Sequence, residues 1–146
     1  MSQKEILIDL VSANEGCVDF APFGEGADPS WIDEAEIILN IKIPSEYRWF
    51  LENYGGGEIN GQEIFSLYGP DYVDAGPGDV INYNLNNKFF DISKNMIICD
   101  NGSEIFYLNY EDKARIYKID YVEDYNVFYS NDFISFIIQR IEHLCG

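Results

Sequence analysis

The stretch Ile43-Pro44-Ser45-Glu46-Tyr47-Arg48-Trp49-Phe50-Leu51-Glu52-Asn53-Tyr54-Gly55-Gly56-Gly57 decides how the chain is read. Proline has a fixed φ and no N–H to leave unpaired, so Pro44 suits the first turn of a helix. Tyr47, Phe50, Leu51 and Tyr54 then recur at i, i+3, i+4 and i+7, an aromatic stripe on one helical face. Gly55 supplies a left-handed stop. The three glycines lack the spacing and the Lys-Ser/Thr pair of a phosphate-cradling loop, so a helix end followed by a turn explains them.

Working outward, Ser30 reads as an N-cap with the Asp33 carboxylate three residues on. Ile32, Ala35 and Leu39 follow at helical spacing, and Asn40 ends that helix. A breaker-rich loop, Pro22 to Pro29, precedes it. The first dozen residues read as a helix with Ile6, Leu7, Leu10 and Val11 on one face. Beyond the glycines the period changes. Residues 63–68 read as a strand ended by Gly69-Pro70, and residues 79–87 as a short helix capped by Asp79. Residues 95–100 and 104–109 read as strands joined by Asn101-Gly102, a strong hairpin signal. A turn at 111–113 leads to a strand at 115–119, giving an antiparallel meander. A last helix, capped near Ser130, turns Phe133, Phe136, Ile137, Ile141 and Leu144 toward the core. Helices at both ends with local hairpins between them predict an α+β fold. No repeat or linker interrupts the pattern, so residues 1–146 read as one domain.

Composition narrows the function. The chain carries 26 Asp+Glu against 9 Lys+Arg, a net charge of −17, with 47% hydrophobic and 16% aromatic residues. That apolar content excludes global disorder. The charge excludes nucleic acid and anionic membrane as partners, since both need Lys and Arg to meet phosphates. It favours fast capture of a basic partner. Nothing at the N-terminus resembles a signal peptide. Cys17, Cys99 and Cys145 are odd in number and form no C-x-x-C pair, a pattern that predicts free thiols in a reducing cytoplasm.

Candidate chemistry is sparse. His143, the only histidine, falls in the last helical turn, where it suits the negative end of the dipole. Cys99 lies in an apolar strand that raises its pKa and removes it as a nucleophile. Asp71, Asp74 and Asp79 do not align as a calcium loop. No catalytic residue, metal or cofactor is expected; a carboxylate-based glycan hydrolase has no supporting motif. Two loops stand out, Asp71-Tyr72-Val73-Asp74 and Asp120-Tyr121-Val122-Glu123-Asp124-Tyr125, each placing Tyr among carboxylates. Tyrosine offers large contact area at little rotamer cost, and acids complement Lys and Arg.

Taken in order, these elements resemble the SUKH superfamily, which includes the Smi/Knr-type regulators of fungal glucan synthesis. The resemblance runs from about Ser30 to Leu144. It rests on the Ile32…Glu36 helix, the Pro44-led Tyr47…Phe50-Leu51 helix ending in glycines, and the strand ending Leu67-Tyr68-Gly69. The Asp100-Asn101-Gly102 hairpin and the terminal helix beginning at Asn131-Asp132-Phe133 complete it. The resemblance implies an antiparallel sheet flanked by helices and a non-catalytic binding module. Bacterial relatives look like immunity proteins that neutralise polymorphic toxins, often nucleases; fungal ones look like regulatory hubs. The expected partner is therefore a basic toxin domain, with a regulatory scaffold as the alternative. The contact residues expected are Glu58, Asp71, Tyr72, Asp74, Asp120, Tyr121, Glu123 and Asp124. Truncating one hot-spot Tyr or Asp among them is expected to cost roughly 2–4 kcal/mol of binding.

Overall fold

The computed structural model describes residues 1–76, 78–87, 90–123 and 125–146. Among these residues five α-helices and two antiparallel sheets make an α+β fold. The helices are α1 (Gln3–Ala13), α2 (Pro29–Leu39), α3 (Ser45–Asn53), α4 (Val80–Asn86) and α5 (Phe133–Cys145). One sheet has the order β1 (Val18–Phe20), β2 (Gly57–Ile59), β3 (Gln62–Ile64). The other is a four-stranded meander, β4 (Asn95–Asp100), β5 (Glu104–Asn109), β6 (Arg115–Asp120), β7 (Asn126–Ser130).

The helix that the aromatic stripe announces is α3, with Tyr47, Phe50 and Leu51 fully buried. Tyr47 stacks on Phe133 of α5 with ring centroids 4.1 Å apart, and its hydroxyl donates to the Phe65 carbonyl at 2.7 Å. Burial pushes that phenol well above its usual pKa. Phe133 also meets Phe50 at 5.0 Å and Phe136 at 5.6 Å. Since α5 also packs on α1 and on strands of both sheets, this aromatic cluster is where the layers meet. Each such ring contributes roughly 1.5–3 kcal/mol by leaving water.

Several local readings are corrected. Asp28, not Ser30, caps α2, because Pro29 has no N–H and the first free donor is the Ser30 N–H, 2.8 Å from the Asp28 carboxylate. Asp33 instead pairs with Arg48 of α3 at 2.7 Å. Asp132, not Ser130, caps α5, since β7 runs on through Ser130. The strand expected at 63–68 shortens to β3. Past Ile64 the chain turns to the other sheet, Phe65 N–H bonding the Ile98 carbonyl at 2.9 Å and Ser66 bridging Asp79.

The cysteine reading is also overturned. Cys17, just ahead of β1, and Cys145, at the end of α5, form a disulfide across Cα atoms 6.0 Å apart. Packing of α1 against α5 brings the two ends of the chain together. Only Cys99 is a free thiol, buried on β4, and desolvation raises its pKa to about 12. With two of its three cysteines paired, the chain carries no cysteine signature of a reducing compartment.

One buried side chain does the work of a strand. Asn84 on α4 donates to the Ile97 carbonyl at 2.8 Å and accepts from the Ile97 N–H at 2.7 Å. Its amide thereby copies the pairing a neighbouring strand would give β4.

Candidate functional site

The residues singled out for binding fall into two groups. Asp71, Tyr72 and Asp74 lie in the loop ahead of α4, where the Asn82 amide donates to the Tyr72 carbonyl at 3.0 Å. Asp120 ends β6; its carboxylate accepts from the N–H groups of Val122 and Glu123 at 2.7 and 3.2 Å, shaping the turn. Tyr121 leaves that turn to donate to Asp100 at 3.0 Å, and Tyr83 of α4 donates to the same oxygen at 2.5 Å. Desolvation followed by Asp100 raises the Tyr121 phenol to about 12, and the same causes push Tyr83 higher still. Asn82 of α4 thus tethers the first loop, and Asp100, the acceptor that Tyr121 shares with Tyr83 of α4, holds the second. Asp124 lies outside the described residues. The Asp79 carboxylate accepts from Ile81 N–H and Asn82 N–H, so it serves as the cap of α4.

Glu58 belongs to the second group. It stands on β2 directly opposite Asp19 of β1 on one side and Glu63 of β3 on the other. Residues directly opposite share a face, so three carboxylates form a row on the outer face, while Val18, Ile59 and Ile64 turn inward. Gly57 permits the close pairing: its φ is +136°, and a Cβ there would collide with the Asp19 carbonyl oxygen.

Like charges placed opposite one another cost stability. Among the described residues none of the three carboxylates forms an ion pair. The sequence has no Lys or Arg from residue 5 to 41 or from 49 to 87, so the strands carrying the row bring no base. Burial, then the charge of Glu58, raise the Glu63 carboxyl above its ordinary pKa, against a hydrogen bond from Tyr68 that lowers it. Tyr68 in turn rises to about 12, by desolvation first and Glu63 next. Sequence reasoning missed Asp19, Glu63, Tyr83 and Asp100. The alternation Gly57-Glu58-Ile59 was the available signal, but it needed the register of two partner strands to become a row.

The raised Glu63 value fixes a pH dependence. The folded chain holds this proton more tightly than the unfolded chain, so ionising Glu63 costs stability. That cost is absent below the unfolded carboxylate range and grows as pH rises through the elevated folded value. Glu63→Gln is therefore expected to stabilise the fold at pH 7 by roughly 0.5–1 kcal/mol, the scale of a like-charge cross-strand pair. Thermal melts should show the gain vanish by about pH 3, where both states are protonated. A variant less stable than the parent at pH 7 contradicts the row.

A cleft of about 370 Å³ is lined by Trp31, Tyr54, Gly55, Gly56, Ser66 and Tyr68 among others, Tyr68 being also the hydrogen-bond partner of Glu63. The Ser66 hydroxyl is fully buried with no hydrogen-bond partner among the described residues. Among those residues, no group of three or more His, Cys, Asp or Glu is placed to hold a metal ion, and no helix is long and apolar enough to cross a membrane.

Residues 29–137 match the SUKH_6 family model, described as SMI1-KNR4 cell-wall, which spans well over half of the chain. No curated protein matches the chain. The matched segment takes in α2, α3, two of the three acidic-row residues, and the whole four-stranded meander.

Proposed function

The chain belongs to the SMI1-KNR4 family of the SUKH superfamily, and from that premise we propose that it is a non-catalytic module that binds a basic protein, acting as an immunity protein that occludes a toxin domain. The observation that carries this reading is the row Asp19–Glu58–Glu63. A fold that holds three carboxylates side by side without a counter-charge keeps them at a cost. Lys or Arg from a partner relieves that cost on binding, which converts strain into affinity. Toxins that cleave nucleic acid hold phosphates in basic clefts, and a row of negative charge is a shape such a cleft accepts. The net charge of −17 speeds the encounter.

A second reading, a regulatory scaffold for wall-building proteins, is supported by the words of the family description. The two separate in one experiment. The chain is co-expressed with the C-terminal domain of a toxin encoded beside its gene, and growth is scored. Restored growth is the expected result. The triple variant Asp19→Asn, Glu58→Gln, Glu63→Gln should then associate with the toxin at least about tenfold more slowly at low salt, the scale of electrostatic steering. Failure of the native chain to protect discards the immunity role and leaves the scaffold. Full protection with unchanged association by the triple variant discards the row as the contact.

A further inference from the structure

The described residues include eleven large hydrophobic side chains exposed to solvent, and five of them, Tyr121, Val122, Tyr125, Val127 and Phe128, fall within eight residues of sequence. They occupy the β6–β7 turn and β7 itself, the outermost strand of the meander. A strand lying on a core buries every second residue, because successive side chains point to opposite faces. Here Asn126, Val127 and Phe128 are all exposed, so both faces of this half of β7 are open. One face continues an aromatic row across the sheet: Phe90 meets Tyr107 at 4.6 Å, Tyr107 meets Tyr117 at 6.1 Å, and Tyr117 meets Phe128 at 5.9 Å. The row is under cover at Tyr107 and ends in solvent at Phe128, 48% exposed.

Natural proteins blunt such edges with Lys, Pro or a covering element. Residues 121–130 contain neither Lys nor Pro. On its outer side β7 pairs with no described strand. Against a second copy of this chain stand the −17 charges that each copy carries, with Asp120, Glu123 and Asp132 close to the edge in sequence. The same acids attract an edge partner of opposite sign.

We propose that β7 is a strand-addition site: it takes an extended segment of a basic protein, pairing main chain to main chain. The segment's apolar side chains lie beside Phe128, on the face of the aromatic row, and its Lys or Arg side chains lie on the opposite face, that of Val127, where they reach Asp120 and Glu123. Backbone pairing supplies affinity, and the alternation of apolar and basic residues supplies specificity. This rests on the protein-binding reading above but uses a different surface from the carboxylate row.

The test uses the full-length protein and two synthetic peptides of equal charge: an alternating Lys-Val nonamer, and the same peptide with two Val replaced by Pro so that it cannot pair as a strand. Amide hydrogen exchange is followed residue by residue. With the first peptide, the amides of β7 that do not pair with β6 should gain about tenfold or more in protection, saturably, and with the second they should not. Phe128→Ser should abolish the gain with the melting curve retained, since the side chain is half in solvent. Equal effects of both peptides, or protection confined to strands β1–β3, overturn the proposal. Protection of β7 that grows with protein concentration in the absence of peptide also overturns it, by assigning the edge to a second copy. If β7 pairs with the peptide while the growth assay fails, the immunity role falls and the strand-addition site stands. The reverse outcome removes only the site.

Discussion

Replacing Cys17 or Cys145 with serine is expected to lower the free energy of unfolding by about 4 kcal/mol. The bridge joins residues 128 apart in sequence, so cutting it frees nearly the whole chain in the unfolded state. Loop-closure entropy grows slowly with length, and a loop of this size lies near the upper end of what one cross-link supplies. Domains of this length are held by only about 5–15 kcal/mol, so the loss is a large share of the total. Urea titration with and without reductant reads it directly. The parent in reductant should unfold at the midpoint of the Cys17→Ser variant in oxidant, and Cys99, buried and unpaired, should not contribute. Coincident midpoints for oxidised and reduced parent would show that the bridge holds nothing. Both bridged residues lie outside the segment that matches the family, one before residue 29 and one after residue 137. The bridge therefore fastens α1 and β1 to a core that the family pattern already accounts for.

The second large effect is expected at Gly57. Alanine there faces a φ of +136°, in the region that favours glycine, and its Cβ meets the Asp19 carbonyl oxygen of the paired strand. Backbone strain alone costs about 1–3 kcal/mol. The collision adds to it, because carbonyl and Cβ cannot both keep their places in an antiparallel pair. Gly57→Ala should lose roughly 3 kcal/mol or more, with β1 released from β2. Gly102→Ala is the control: its φ is +88°, yet nothing lies within 4 Å of the added atom, so only the backbone cost of about 1–2 kcal/mol applies. Equal losses at the two sites would place the cost in φ and not in the strand contact. Amide exchange at Val18–Phe20 would show whether the row has come apart.

Much of the architecture was legible in the sequence, because long periodic elements announce themselves. The Pro44-led helix, the Asn101-Gly102 hairpin and the apolar face of α5 each combine a period with a start or stop residue. The three-residue strands β1 and β2 were not legible, since an alternation only three residues long, in β2 begun by Gly57, is too short to tell a strand from a loop. β7 escaped for a different reason: a strand exposed on both faces has no alternation of apolar and polar residues. The pairing of Cys17 with Cys145 follows from α1 lying on α5, which no spacing in the chain encodes. Of the acidic row, Glu58 was singled out from the sequence. Asp19 and Glu63 were not, because their nearness is a property of register.

The amide of Asn84 has a consequence for assembly. By occupying Ile97 on the β4 side, it terminates hydrogen bonding in one direction, while β7 leaves the other direction available. A ribbon closed along one margin can be lengthened along the other only. A head-to-tail stack of copies, β7 of one on β4 of the next, needs both margins and is therefore closed to this chain.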